Sequence, residues 1–190
     1  MPRPIRSALL SACLLLLVAA PPVRADDTAD EADLHFRLGA AAYQRQDFPS
    51  ALVHFHVSNR LAPNHNVLYN LARTYESLGD FPAAYRYYDL SLEGESAPDA
   101  RASVETALAR VAAEVAVVDV QTTPPGATIY VDRRDLGPRG RAPRRLGLAP
   151  GTYRVLAELP GHEPAAATVE VARGETATVK LDLPPLRGSL

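Results

Sequence analysis

Gln46-Asp47-Phe48-Pro49-Ser50-Ala51 and Gly79-Asp80-Phe81-Pro82-Ala83-Ala84 stand 33 residues apart and carry one pattern. At the same offset Leu38-Gly39 aligns with Leu71-Ala72, Phe55 with Tyr88, and Ser58 with Ser91. A repeat of this length signals stacked helical hairpins. Gly39 and Ala72 are small where two antiparallel helices must approach, and Ala51 and Ala84 are small on the facing helix. Phe48 and Phe81 begin that second helix and fill the space between repeats. Pro49 and Pro82 fall in its first turn, where a missing N–H does no harm. Pro63 ends the first hairpin. A third helix follows, with Ser96 as its cap, Pro98 in the first turn and Asp99 at the capping-box position. Its Val104, Leu108, Val111 and Val115 recur at helical spacing. It reads as a helix capping the open end of the second hairpin. Two hairpins and a cap fall short of the three or so repeats that a solenoid needs. Further burial is therefore expected from the second half of the chain or from another chain.

At these residues the sequence resembles the tetratricopeptide repeat family over about residues 32–95. The first repeat supplies Leu38, Gly39, Ala51, Phe55, Ser58 and Pro63. The second supplies Leu71, Ala72, Tyr75, Ala84, Tyr88 and Ser91. His35 and Leu68 stand where Trp is commonest, and Ala42 replaces an aromatic. The resemblance implies a concave groove for a peptide, lined by the first helix of each hairpin. By position Phe36, Arg37, Ala40 and Tyr43 lie on or near that face, as do Tyr69, Asn70, Arg73 and Glu76. Asn70 with Arg73 is suited to a peptide backbone or carboxylate. Phe36 and Tyr69 offer apolar contact area. The family's full carboxylate-clamp set is not matched, and a groove this short favours weak or multivalent contacts.

From Val115 the pattern changes. Val117–Val120, Thr128–Val131, Tyr153–Leu159, Ala167–Val171 and Thr176–Leu183 read as strands. Turn signals separate them: Pro124-Pro125-Gly126, Pro150-Gly151, Pro160-Gly161 and Arg173-Gly174. Short alternating strands with regular turns indicate a small antiparallel sandwich or barrel. Thr123-Pro124-Pro125-Gly126-Ala127 followed by Ile129-Tyr130-Val131-Asp132 resembles the PEGA domain family, as do Leu136-Gly137, Pro143, Leu146, Leu148, Pro150-Gly151-Thr152-Tyr153, Pro160-Gly161-His162 and Gly174-Glu175-Thr176. The match spans about residues 116–184. It implies a small β-sandwich of the transthyretin or carboxypeptidase-regulatory type, found outside the cytoplasm and not known for catalysis. The expected fold is thus two-domain: an all-α helical repeat, then an all-β small antiparallel sandwich.

The segment from Asp132 to Arg145 holds Arg133, Arg134, Arg139, Arg141, Arg144 and Arg145 against Asp132 and Asp135, a net of +4 in fourteen residues. One reading is a solvated, mobile loop. The other is a docking site for an anion: the acidic first domain, an anionic lipid or glycan, or an acidic partner. Arginine suits carboxylate and phosphate because its planar fork donates in pairs. Residues 26–115 carry 14 acidic and 7 basic side chains, a net of -7, while residues 116–190 total +2. Docking of the two halves on each other is electrostatically reasonable.

The chain has 190 residues, 47% of them hydrophobic and 22% charged, with a formal net charge of -2. That is globular composition with no general basis for nucleic-acid binding. Arg3 and Arg6, the uncharged run Ser7–Ala20 and Val23-Arg24-Ala25 form a secretory signal pattern, with cleavage expected after Ala25. Two other readings of this segment are a lipoprotein through Cys13 and an uncleaved signal anchor. Cys13 is the single cysteine, so cleavage after Ala25 leaves neither a disulfide nor a thiol nucleophile. The expected divisions are a signal peptide (1–25), an acidic leader (26–31), hairpins with capping helix (32–115), a sandwich (116–184) and a tail (185–190). No phosphate loop and no nucleophile elbow occurs. His54 and His56 are two apart and point to different helix faces. His35, His65 and His162 have no ligand-spaced neighbours. No cofactor, metal or enzymatic role is expected. The expected function is an exported, non-catalytic adaptor in the periplasm or envelope, binding a protein partner or self-associating through the groove. The sandwich would serve as spacer or attachment module. The alternative is envelope glycan or anionic-lipid binding through the Arg-rich segment 133–145, which would bring membrane or cell-wall contact.

Overall fold

The computed structural model describes residues 25–93 and 95–186. Residues 1–24 of the expected signal peptide, with Cys13, lie outside the described residues. Among the described residues five helices come first: α1 (Ala25–Gln44), α2 (Phe48–Leu61), α3 (His65–Ser77), α4 (Phe81–Leu92) and α5 (Pro98–Ala112). None of the described helices is long and apolar enough to cross a membrane. The 33-residue period is visible atom by atom. Asp47 Oδ1 accepts from Ser50 N–H at the start of α2, and Asp80 Oδ1 from Ala83 N–H at the start of α4. The turns before them match as well. Gln46 N–H donates to Tyr43 O and Asp47 N–H to Ala42 O; Gly79 and Asp80 donate to Glu76 O and Tyr75 O. Gln46 and Gly79 are both left-handed, at φ 60° and 77°. That conformation suits glycine and strains glutamine.

Packing follows from the small residues. A Cβ placed on Gly39 would lie 2.8 Å from the Phe55 ring, so only glycine lets α1 and α2 close over that ring. Ala42, Ala51, Phe55, Val67 and Leu71 are buried together between the hairpins. A second cluster joins Ala72, Ala84, Tyr85 and Tyr88 to Val104, Ala107 and Val111 of α5. Two expectations need correction. The acidic segment 26–31 is no leader before the helix but belongs to α1. Carboxylates are favoured beside the unpaired N–H groups of a helix start. Ser96 does not cap α5. The N-cap is Ala97, without a side-chain bond, and its N–H goes to Glu95 Oε1.

Seven strands follow: β1 (Ala116–Thr123), β2 (Thr128–Val131), β3 (Gly140–Arg141), β4 (Arg144–Leu148), β5 (Gly151–Glu158), β6 (Ala165–Val171) and β7 (Thr176–Asp182). They form two sheets, ordered β4-β1-β7 and β3-β2-β5-β6. The ladders are antiparallel as expected, except that β1 and β7 run parallel. Ala116, Val118 and Val120 of β1 face the sandwich core with Ile129, Val155, Val179 and Leu181. At the turn after β1, Gly126 has φ 90° and its N–H donates to Ala142 O. The segment 132–145 is not a plain loop. It contains a 3-10 turn at Arg134–Leu136, all of β3 and the start of β4. Of the tail, Pro185 bridges His162 and Leu186 N–H donates to Gly161 O; residues 187–190 lie outside the described residues.

The two halves pack directly on each other. Strand residues alternate sides, so Val117 points away from the sandwich core and is buried with Val111 and Val115 in the helical cluster. Gly147, opposite Val117 in the ladder, receives the Tyr85 ring. A Cβ at Gly147 would lie 2.5 Å from Tyr85 Cγ. Arg144 then clamps the edge, its guanidinium 2.7 Å from Asp89 and 3.0 Å from Glu93. Arg173 reaches Glu114 at 3.4 Å.

Candidate binding face and Arg-rich edge

The side chains expected in the groove separate into two groups. Tyr43, Tyr69 and Arg73 come together. The Arg73 guanidinium carbon lies 4.9 Å from the Tyr43 ring centroid and 5.9 Å from that of Tyr69. Such cation–π contacts hold a guanidinium in place without neutralising it. No carboxylate pairs with Arg73 among the described residues. Tyr43 Oη lies 3.2 Å from Ser77 Oγ, and the Tyr69 ring meets Tyr88 edge-on at 5.6 Å. The other candidates are engaged elsewhere. Phe36 packs on Phe55, with ring centroids 5.8 Å apart. Arg37 pairs with Asp33 one turn back. The Asn70 amide nitrogen donates to Asn66 O of its own helix.

Beside this cluster runs a network that the sequence reading placed only in part. Arg110 of α5 donates Nε and Nη2 to both oxygens of Glu76, at 2.7 and 3.0 Å. Tyr88 Oη donates to Glu76 Oε2 at 2.7 Å. The bond from Arg110 holds the Glu76 carboxyl below its ordinary value, and burial pushes the Tyr88 phenol up. The period itself carried the missing signal. Val104 follows Leu71 by 33 residues and Arg110 follows Ser77 by 33, so α5 continues the lining series of α1 and α3.

The histidines also meet partners that spacing did not reveal. His35 Nδ1 and His54 Nδ1 are 3.0 Å apart across α1 and α2. His56 Nε2 lies 2.9 Å from Tyr75 Oη, and burial lowers the imidazole's pKa. Among the described residues, no group of three or more His, Cys, Asp or Glu side chains can hold a metal ion.

The six arginines of segment 133–145 divide evenly. Arg133 pairs with Asp135, Arg134 with Glu158, and Arg144 with Asp89 and Glu93. Burial pushes the Asp89 carboxyl up even though Arg144 opposes it. Arg139, Arg141 and Arg145 have no carboxylate partner among the described residues. Arg139 Nε is buried with no acceptor.

Among the described residues the molecule is a five-helix domain packed against a seven-strand, two-sheet β domain. Residues 115–187 match the PEGA domain family. No curated protein matches the chain.

Proposed function

We propose that the protein is an exported, non-catalytic adaptor of the periplasm or cell envelope. Its helices act as tetratricopeptide-type hairpins whose α1–α3–α5 face takes a protein partner, and the PEGA domain is the spacer or attachment module. One observation carries this reading: Arg73, held over Tyr43 and beside Tyr69, forms no salt bridge among the described residues. A cation fixed between aromatic rings suits an acidic or carbonyl-rich peptide segment, because little conformational freedom remains to be lost on binding. Shallow hollows between successive lining helices, of about 270 and 260 Å3, extend the same face.

The test compares baits in a pull-down from envelope extract. The wild-type protein and Arg37→Glu should retain the same partner, while Arg73→Glu and Tyr43→Ala should lose it. Equal retention by all four removes the concave face from the proposal. Sedimentation velocity separates a foreign partner from a second copy. The glycan or anionic-lipid alternative finds support only in the three arginines without acids, since Arg133, Arg134 and Arg144 are already neutralised within the molecule.

A further inference from the structure

A cleft of about 400 Å3 runs between α4 and the sandwich, within the size range of small-molecule sites. Tyr85, Arg86 and Asp89 stand on its helical wall, and Arg139, Arg145 and Tyr153 on its sandwich wall. None of the concave-face candidates lines it, so the inference is independent of the adaptor reading.

The charges in this cleft are unevenly matched. Each of its acids accepts a hydrogen bond, and Asp89 is also in a salt bridge. Asp80 caps α4, Asp89 takes Arg144, and Asp132 accepts from Arg154 N–H at 2.9 Å. Asp119, opposite Arg145 in the β1–β4 ladder, accepts from Gln121. Among the described residues, three of the cleft's arginines have no salt-bridge partner. Arg86 lies by the Tyr87 ring, at 5.8 Å. Arg145 has no carboxylate within salt-bridge distance, and Arg139 Nε is buried without an acceptor. A buried N–H of a charged group left unmade is costly. An oxyanion accepting from it removes that cost, and two oxygens on one centre match the guanidinium fork.

We propose that this cleft binds a small molecule by its oxyanion head, a carboxylate or phosphate held by Arg86, Arg139 and Arg145, with the body of the ligand against Tyr85 and Tyr153. Both domains contribute, so the site exists only when they are docked.

Amide NMR titration of the whole protein with benzoate, phenyl phosphate and inorganic phosphate tests this. Benzoate or phenyl phosphate should shift Arg86, Arg139 and Gly147 amides saturably, and inorganic phosphate, lacking a body, more weakly. The tighter of the two aromatic probes identifies the head group. Arg86→Gln and Arg139→Gln should each weaken binding about tenfold, the size expected for a charge-assisted hydrogen bond, while Arg37→Gln leaves it unchanged. Shifts that do not saturate, or an equal loss in Arg37→Gln, overturn the proposal. If Arg139→Gln fails to fold, the exposed Arg86→Gln decides, and wild-type affinity in that variant overturns it.

Discussion

Leu52 in α2 and Tyr85 in α4 stand 33 residues apart at one position of the repeat, yet they have different surroundings. Leu52 is half-buried at the edge of the inter-hairpin core. Tyr85 is only 4% exposed, with its ring against Gly147 of the sandwich. The two hairpins share their turns, caps and inner faces. They differ in what covers the outside. A solenoid hairpin cannot bury its apolar surface alone. Here the second hairpin is covered by α5 on one side and by β4 on another. The sandwich thus supplies part of the burial that two hairpins alone lack.

The largest effect that can break this comparison is truncation of the ring. Tyr85→Ala should cost about 3 kcal/mol, typical for removal of a buried aromatic side chain. Leu52→Ala should cost roughly half as much, because part of that side chain is already in water. Urea denaturation of both variants measures the difference. Equal losses would mean that the sandwich contributes nothing to the stability of α4. Gly147→Val should resemble Tyr85→Ala, since no side chain fits at 2.5 Å from the ring.

Next comes the clamp at the same boundary. Arg144→Gln strands the half-buried Asp89 and should cost about 2 kcal/mol, in the range for charge-assisted bonds. Asp89→Asn should cost less, because burial already disfavours the Asp89 charge. The reverse order in denaturation midpoints would show that Asp89 does not depend on Arg144.

At the repeat positions of Glu76 and Arg110, α1 and α3 carry the neutral Tyr43–Ser77 hydrogen bond instead of an ion pair, and pH sharpens that contrast. Glu76 is held below its ordinary value of 4.5. Its contribution is therefore complete above that value and declines as pH falls through the depressed folded-state pKa. Glu76→Gln should lower the melting temperature at pH 7 and flatten the profile below pH 4.5. His56 adds a higher window. Its lowered pKa makes the folded state bind fewer protons than the unfolded chain, so stability should decline as pH falls below the reference value of 6.5. His56→Gln should remove that part of the decline.

The smallest effects are in the turns. Gln46→Gly should stabilise the protein slightly by relieving the left-handed backbone, whereas Gly79→Gln should destabilise it. Asp47→Ala and Asp80→Ala should each give a small loss of similar size, since the two caps are geometrically alike. Thermal melts resolve all four.

Local chemistry was the legible part. The helix starts at Phe48 and Phe81, the close approach at Gly39 and the turn at Gly126 depend on residues near one another in the chain. β3 and β4 went unread because arginines mask the strand pattern in segment 132–145, and their pairing partners in β1 and β2 lie elsewhere in the chain. Ser96 looked like a cap because the rule scores residue type, whereas the chain path gives that place to Ala97. In the candidate site, the closeness of Tyr43, Tyr69 and Arg73 follows from repeat position. The engagement of Arg37, Asn70 and Phe36 does not, because each is set by a neighbour across a helix turn or a helix pair.

The amino-acid order by itself determined that this chain makes helical hairpins and then a turn-punctuated sandwich, since periodicity and glycine and proline geometry act over a few residues. Only the tertiary structure decided that the halves join through Tyr85 and Gly147, which arginines are neutralised and which are not, and that β1 has both faces covered. Those outcomes depend on contacts between residues about 50 or 60 positions apart, such as Arg144 with Asp89 and Arg173 with Glu114. Burial and ion pairing are settled by distance in space, and no local pattern encodes it.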